Sequence, residues 1–169
     1  MLNSLASTPD LSIRALQVSD LPLVHQWNEA NIPHVNSLDF DSFEQVFKLS
    51  TFAYLLSIHQ TPAGFAWLMG LNVPYSSSNY RYFNSNLNTF LYLDRIVISA
   101  PYRGQGLATH LYQHIASMHP NVPICCEVSS KPPNIASTRL HEKLGFKEVG
   151  QQMTEGGKKQ VRLLVWNPT

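Results

Sequence analysis

The sequence predicts an α/β fold, with a mixed, mostly antiparallel central sheet of about seven strands and flanking helices. First, the 169 residues are 44% hydrophobic and 14% charged, which is the composition of one globular domain with one core. Second, strand-like and helix-like apolar spacings alternate along the chain. Third, a strand–helix–strand unit favours parallel pairing, whereas a hairpin and two adjacent terminal strands favour antiparallel pairing. We therefore treat residues 1–169 as a single domain.

The first half of the chain predicts a strand, two helices and a hairpin. Leu21, Val24 and Trp27 recur at helical spacing after Ser19 and Asp20, which are residue types that cap helices. The segments that follow the second helix are apolar runs bounded by turn residues, as strands are. In order, the predicted elements are a strand at 12–17, helices from 21 and at 39–49, and strands at 52–59 and 64–71 joined by a turn at 60–63.

The second half predicts a long loop followed by alternating strands and helices. Residues 72–88 are polar and rich in Ser and Asn, and we expect a loop whose aromatic side chains hold it in place. A helix begins at Leu107, and its core-facing stripe runs to Met118. Gly145 ends a later helix at a left-handed cap position. The remaining predicted elements are strands at 89–98 and 122–128, the helix at 134–144, and strands at 147–153 and 160–166.

Charge and hydropathy exclude several classes of partner. The chain has 12 Lys and Arg against 11 Asp and Glu, a net charge of +1 with no basic patch, so we expect no nucleic-acid partner. No segment reaches the ~18 consecutive apolar residues of a membrane span. The start of the chain, Met1–Ser4, lacks the basic and apolar regions of a secretory signal. We therefore expect a cytoplasmic protein with no membrane partner.

The cysteine and histidine patterns argue against a disulfide framework and a metal site. Cys125 and Cys126 are adjacent, and neighbours on a strand point to opposite faces of the sheet. We interpret both as buried structural thiols rather than nucleophiles. His110 and His114 have the spacing of two zinc ligands on a helix, but the Glu of the zinc motif H-E-x-x-H is missing between them. We therefore expect no metal.

The most informative segment is a glycine-rich turn between a strand and a helix, R-G-Q-G-L-A at 103–108. Glycine lets the backbone turn tightly and approach a ligand, and the free N–H groups that open a helix attract anions such as a diphosphate. Thr109 stands where the dinucleotide motif G-x-G-x-x-G has its third glycine, and the G-K-[ST] ending of a P-loop is absent. The glycines alone fit an ordinary tight turn equally well.

Two spaced motifs resemble those of the GNAT N-acetyltransferase superfamily. The pattern R-x-x-G-x-A at 103–108, after the strand residues 94–98, is similar to that family's acetyl-CoA-binding motif. The stretch from Asn134 to Phe146 resembles its second signature, N-x-x-[AS]-x-x-x-[YH]-x-x-x-G-F, with every anchor at the expected spacing. This motif-level similarity is confined to about 91–150, whereas the order of predicted elements resembles the family's along the whole chain.

The resemblance implies a GNAT fold, acetyl-CoA as co-substrate, and transfer of acetyl to a primary amine by direct attack in a ternary complex. The backbone of Ile96, Val97 and Ile98 would hold the pantetheine arm and the thioester carbonyl, which suits a strand edge because pantetheine carries two amides. Asn134 would bond the arm from a helix on which Ser137 continues the same polar stripe. The diphosphate would lie on Arg103, Gly104, Gln105, Gly106, Leu107, Ala108 and Thr109.

His141 and an acidic strand residue are the candidate catalytic groups. His141 stands where the family most often has a tyrosine that protonates the departing thiolate, and an imidazole N–H can supply that hydrogen bond. The alternative for His141 is a structural histidine. Asp94 and Glu127 are the candidate general bases, because acidic residues inside apolar strands need a reason to be there. We favour Asp94, which lies beside the thioester site, and the alternative for it is an ion pair with a neighbouring strand or with Arg95.

The acceptor side carries no diagnostic motif. We expect a small, amino-acid-like amine to bind between the loop at 72–88 and the segment at 32–38, in contact with Tyr80, Arg81 and His34. In this interpretation Arg81 pairs with a carboxylate of the acceptor, and the alternative for Arg81 is a solvated surface arginine. Two other classes of function stay open: a non-catalytic acyl-CoA-binding sensor, and an interaction module that keeps only the fold. The sequence also leaves a homodimer open.

Overall fold

The computed structural model describes residues 10–168, which form seven strands and five α-helices. The start of the chain, where we expected no secretory signal, lies outside the described residues. The elements, in chain order, are β1 Leu11–Ala15, α1 Leu21–Glu29, α2 Phe40–Leu49, β2 Phe52–Ile58, β3 Thr61–Met69, α3 Ser78–Asn86, β4 Leu91–Ile98, α4 Leu107–Met118, β5 Ile124–Lys131, α5 Ile135–Leu144, β6 Lys147–Thr154 and β7 Lys159–Trp166.

The strands form one mixed sheet in the order β1-β2-β3-β4-β5-β7-β6. Every neighbouring pair is antiparallel except β4 and β5, which are parallel because α4 crosses over between them. The pairing of β4 with β5 covers only Leu91 with Ile124 and Tyr92 with Cys125. Beyond these pairs the two strands part. The predicted mixed, mostly antiparallel sheet is confirmed, and its central feature is this gap.

The sheet has an apolar core on each of its two faces. Leu68 and Leu111 belong to the core under α4 and α5. Trp67 and Phe83 belong to the core under α1, α2 and α3. Trp67 and Leu68 are neighbours on β3, so the alternation of side chains along this central strand supplies both cores. A strand covered on both faces reads as a continuous apolar run, as β3 does.

Local sequence signals explain where the helices begin and end. The Asp39 carboxylate accepts a hydrogen bond from the Ser42 N–H at 2.8 Å and so caps α2. Gly145 adopts a φ of 89° after α5, which a glycine does without strain. The Phe146 N–H then donates to the His141 carbonyl at 3.0 Å. These contacts fix the direction in which α5 presents its polar stripe.

Three details of the predicted elements were wrong. The segment 72–88 contains α3, whose first turn is capped by the Ser77 hydroxyl accepting from the Tyr80 N–H. The hairpin turn lies at His59 and Gln60, both with positive φ, so the second strand of the hairpin begins at Thr61. Met118 is 56% exposed because it ends α4 beyond the edge of the core.

Candidate active site

A cavity of about 820 Å³ occupies the region where β4 and β5 part. Its walls come from both strands, from the start of α4, and from one side of α5. Three further segments complete the lining: the segment between α1 and α2, through Asn31 and 34–36, the segment Tyr75 to Asn79, and the turn between β6 and β7. The gap therefore brings together segments from nearly the whole length of the chain.

The edge of β4 that faces this gap has no strand partner. From Leu93 to Ile98 the strand pairs only with β3, because the ladder to β5 ends at Tyr92. Ile96 and Ile98 line the cavity, whereas the Val97 side chain is buried in the core of the opposite face. Free N–H and C=O groups on such an edge can pair with the amides of an extended ligand.

The turn before α4 presents a row of free backbone N–H groups. Gly104 and Gly106 have φ values of 76° and 80°, and a Cβ on either would meet nothing within 4 Å. Throughout residues 10–168, no acceptor is found for the N–H groups from Gly104 to Thr109. Together with the positive end of the helix dipole, this row suits a diphosphate. The predicted residues of the turn line the cavity except Gln105, whose amide donates to the Pro101 carbonyl at 3.3 Å.

Arg103 lines the cavity but also holds the turn in place. Its Nε donates to the Ile98 carbonyl at 3.1 Å. Its Nη2 donates to Oδ1 of Asn31 at 3.0 Å. The arginine thus ties the turn both to the end of β4 and to the segment that follows α1.

The predicted polar stripe on α5 faces the cavity, where Asn134, Ser137 and His141 all contribute to its lining. Oδ1 of Asn134 accepts from the Ser137 N–H at 3.1 Å, so part of its role is to cap the helix. Within the described part of the chain, no partner is recorded for the amide nitrogen of Asn134. That nitrogen is a donor available to a ligand in the cavity.

Both ring nitrogens of His141 are engaged. Nδ1 lies 2.7 Å from the Ser137 carbonyl, which can only accept, so Nδ1 carries the proton of the neutral ring. Nε2 lies 2.7 Å from the Tyr112 hydroxyl and therefore accepts its proton. Burial lowers the pKa of His141, since only 4% of the residue is exposed. Tyr112 also lines the cavity, and burial raises its pKa well above the usual value, so it remains a neutral donor.

A β-bulge in β4 places two charged residues on the same face of the sheet. Trp67 pairs with Arg95 but the next residue of β3 pairs with Leu93, so Asp94 is the extra residue. Asp94 accepts hydrogen bonds from Nε1 of Trp67 at 2.8 Å and from the Tyr75 hydroxyl at 2.6 Å. The Arg95 guanidinium lies over the Trp67 ring, and its Nε is 3.3 Å from Oδ2 of Asp94. The ion pair considered as an alternative for Asp94 is therefore present.

Glu127 on β5 is the second carboxyl group of this wall. Its Oε2 accepts a hydrogen bond from the Tyr92 hydroxyl at 2.7 Å. Burial raises the pKa of Glu127 to about 7, and the negative charge of Asp94 adds to that shift while the Tyr92 bond opposes it. A carboxyl group with a pKa near neutrality can exchange a proton with a substrate at physiological pH.

The structure places only one of the three predicted acceptor contacts at the cavity. His34 lines the cavity, but Tyr80 and Arg81 do not. The Tyr80 hydroxyl is buried and donates to the Gly70 carbonyl at 2.7 Å, while α3 directs Arg81 to solvent. The arginine that lines this end of the cavity is Arg95, which we had considered only as an ion-pair partner. The signal that singled out Asp94, a charged residue inside an apolar strand, applies equally to Arg95.

The two cysteines are buried thiols. Burial raises the pKa of Cys125 to about 12 and raises that of Cys126, which lines the cavity, well above its usual value. Neither thiol would ionise near neutral pH, and ionisation is what nucleophilic attack requires. Over residues 10–168, no cluster of three His, Cys, Asp or Glu side chains is arranged to hold a metal. Nor does this range contain a helix long and apolar enough to cross a membrane.

Comparison with protein families gives one match that spans most of the chain. The model described as "Acetyltransferase (GNAT) family" matches residues 14–146. A comparison with curated proteins finds no significant match.

Several solved structures have the same fold at low sequence identity. The ribosomal-protein-S18-alanine N-acetyltransferase from Escherichia coli is 19% identical with a TM-score of 0.71, and the alignment covers 94% of each chain. Arabidopsis thaliana NAA60 in complex with acetyl-CoA is 16% identical with a TM-score of 0.72, covering 93% of this chain and 99% of that one. A spermidine N-acetyltransferase SpeG chimera from Vibrio cholerae and hSSAT is 20% identical with a TM-score of 0.68, covering 94% and 95%.

Proposed function

Because the chain belongs to the acetyltransferase (GNAT) family, we propose that it transfers acetyl from acetyl-CoA to a small, amino-acid-like primary amine. Both substrates bind together, and the amine attacks the thioester directly. The observation that carries this proposal is the gap between β4 and β5, which has an unpaired strand edge on one side and free N–H groups at its mouth. Acetyl-CoA supplies the acetyl group in an activated thioester.

The residues at the gap suit an extended, anionic co-substrate. The β4 edge at Ile96 and Ile98 offers backbone groups for the pantetheine amides and a donor for the thioester carbonyl. The N–H groups from Gly104 to Thr109 would hold the diphosphate, with Arg103 at the same turn. The free amide nitrogen of Asn134 would bond the arm from across the gap.

Glu127 is our choice for the general base. An acceptor amine is protonated near neutral pH and must lose a proton before its lone pair can attack. Glu127 lines the cavity, and burial brings its pKa to about 7, near the value at which a base is most effective. Both oxygens of Asp94 are held by Trp67 and Tyr75, so we assign Asp94 the role of binding the ammonium by charge. The sequence alone favoured Asp94 over Glu127 as the base.

The leaving thiolate would be stabilised by the Tyr112–His141 pair. A coenzyme A thiol resembles cysteine, with a pKa of roughly 8.5, so it needs only modest help from an acid. Nε2 of His141 carries a lone pair, and the proton between the two side chains belongs to the Tyr112 hydroxyl. In this scheme His141 holds the Tyr112 hydroxyl in place before the reaction. The single O–H then turns from Nε2 to the thiolate as negative charge develops on the sulfur, because a hydroxyl donates to one acceptor at a time. The overall reaction consumes an ammonium and releases an amide, a thiol and one proton.

The test is release of free thiol from acetyl-CoA in the presence of primary amines. We expect release only when an amine is present, with one acetylated amine formed for each thiol. The same amines blocked by prior N-acetylation serve as the matched control and should release none. Binding of acetyl-CoA without turnover would instead indicate a sensor, and no binding would indicate an interaction module. Either result would contradict the proposed function.

A further inference from the structure

We propose that Arg95 binds the carboxylate of the acceptor, so that the acceptor is a free amino acid. This inference rests on the proposed transferase function and adds the class of its second substrate. It starts from an arginine whose position is unusual, since it lies inside the central sheet and only 5% of it is exposed. Arginine is almost never buried in this way without a partner for its charge.

The guanidinium of Arg95 is held rigidly on one side. Nη1 donates to Oδ1 of Asn28 at 2.6 Å and to the Asn36 carbonyl at 3.0 Å. The planar group also lies 5.8 Å from the centre of the Phe43 ring and 5.7 Å from that of Trp67. All these contacts are with neutral groups. They orient the guanidinium, and its charged neighbour is Asp94, whose Oδ2 lies 3.3 Å from Nε.

Two nitrogens of the same guanidinium have no hydrogen-bond partner. Nε is completely buried and unpaired. Nη2 forms no hydrogen bond with any residue from 10 to 168, and Arg95 lines the cavity, so we infer that Nη2 is the nitrogen that a ligand can reach. Asp94 does not complete the set, because it approaches Nε at 3.3 Å without hydrogen-bond geometry and accepts from other donors. An arginine nitrogen without an acceptor is costly to bury, so a ligand that offers an acceptor to Nη2 would be favoured here.

The neighbouring charges identify the ligand that would supply this acceptor. Asp94 and Glu127 line the same cavity and would attract an ammonium group, while Arg95 would attract a carboxylate. Asp94 and Arg95 approach to 3.3 Å, so the complementary charges of their ligand must also be close together. In an amino acid the ammonium and carboxylate are attached to one carbon atom. A polyamine would instead place a second cation beside Arg95, and a peptide N-terminus would offer a neutral amide.

The experiment compares amino acids with their amides as acceptors in the same acetyl-transfer reaction. The protein and acetyl-CoA are incubated with an equimolar mixture of the L-amino acids found in proteins and, separately, with the matching L-amino acid amides. Products are measured by mass spectrometry. We expect the best amino acid to be acetylated with a kcat/KM at least about tenfold above that of its amide, because a hydrogen bond to a charged group is lost in the amide. Equal or faster turnover of the amides, of spermidine or of a peptide N-terminus would overturn the proposal.

Variants of Arg95 test whether this residue binds the acceptor carboxylate, as an anchor, or only supports the fold. In Arg95→Gln the ratio of acid to amide turnover should fall towards one, and Arg95→Lys should keep an intermediate ratio because it keeps the charge but loses the planar fork. The ratio is measured within each variant, so it does not depend on how much of the protein is folded. Arg81→Gln is the matched control, an exposed arginine whose loss should leave the ratio unchanged. An unchanged ratio in Arg95→Gln would contradict the assignment.

A binding measurement keeps this inference separate from the transferase activity. Calorimetry with the protein saturated with coenzyme A compares the same amino acids and amides as ligands. Selective binding of acids that is lost in Arg95→Gln, without any acetylation, would support the anchor while refuting the proposed function. Acetylation of amines without preference for acids would support the proposed function and refute the role of Arg95 as the carboxylate anchor. If acids show no selective binding and no selective turnover, the anchor is wrong.

Discussion

The two ends of the cavity are built from different parts of the chain. The turn end consists of the β4 edge and the N–H groups from Gly104 to Thr109, and its polar groups belong to the backbone. The buried end consists of Asp94, Arg95, Glu127 and their partners, and its polar groups belong to side chains. Backbone groups are the same in every protein, so they suit the invariant part of a reaction. Side chains differ, so they suit the part that must discriminate.

The two ends of the cavity also differ in the kind of charge that they carry. At the turn end the N–H groups are open and carry only the partial charges of a helix terminus. At the buried end the charged side chains of Asp94 and Arg95 approach to 3.3 Å, and both are almost fully buried. Burial there shifts the pKa of Glu127 to about 7 and raises the pKa of Tyr75. We therefore expect changes at the buried end to alter catalysis, and changes at the turn end to alter co-substrate affinity.

The largest effect is expected from Glu127→Gln at the buried end. Loss of a general base typically lowers the rate by about 10² to 10⁴. Glu127 must be ionised to accept a proton, so wild-type kcat/KM for the amine should rise as the pH passes through about 7 and level off above it. The variant should lose this rising limb. The measurement is a pH profile of both proteins at saturating acetyl-CoA.

Asp94→Asn is the matched comparison for Glu127→Gln. It should raise the KM for the amine and keep a rising limb, because Asp94 is assigned to binding rather than to proton transfer. The limb should move to lower pH, since the negative charge of Asp94 contributes to the raised pKa of Glu127. If Asp94→Asn removes the limb and Glu127→Gln keeps it, the two carboxylates have the opposite roles.

The next effect concerns the Tyr112–His141 pair, which lies between the two ends. Tyr112→Phe and His141→Ala should each lower kcat by up to about 10², the lower range for loss of an acid or hydrogen-bond donor. Because the two side chains act through one hydrogen bond, the double variant should be little worse than either single variant. The measurement is the steady-state kcat of the two single variants and of the double variant, each compared with the wild type. Additive losses would show that the two residues act separately.

A smaller effect, confined to affinity, is expected at the turn end. Gly106→Glu places a negative charge and a side chain where the diphosphate would lie, and should weaken acetyl-CoA binding by about tenfold to a hundredfold. Gly156→Glu is the matched control, since Gly156 also has a positive φ and open space but does not line the cavity. Calorimetry on both variants is the measurement. Equal affinities would remove the turn from the binding site.

The same contrast explains what the sequence could predict. The turn end appears in the sequence as one continuous motif, because a tight turn followed by a helix needs glycines at fixed positions such as Gly104 and Gly106. The strands and most helices follow from periodicity. The helix α3 was missed because its segment is rich in Ser and Asn, which favour caps and turns. Burial of Tyr80 and Phe83 against the sheet stabilises it, and that tertiary contact is not visible locally.

The buried end was only half predictable. Asp94 and Glu127 could be singled out because acidic residues are rare inside apolar strands. The bulge that turns Arg95 to the same face as Asp94 depends on the register between β3 and β4, which no local pattern reveals. Arg81 was therefore chosen as the carboxylate partner in place of Arg95. No local pattern singles out Tyr112, and only the packing of α4 against α5 brings it to His141.

The most direct test of the account is hydrogen exchange of backbone amides with and without acetyl-CoA, in the absence of any amine. When acetyl-CoA binds, we expect slower exchange from Gly104 to Thr109 and along the free edge of β4 at 96–98, since these N–H groups would become hydrogen-bonded. Exchange in α2 and at the hairpin turn between β2 and β3 should not change, since neither segment lines the cavity. Protection confined to those distant segments, with none at Gly104 to Thr109, would contradict the claim that the gap between β4 and β5 is the co-substrate site.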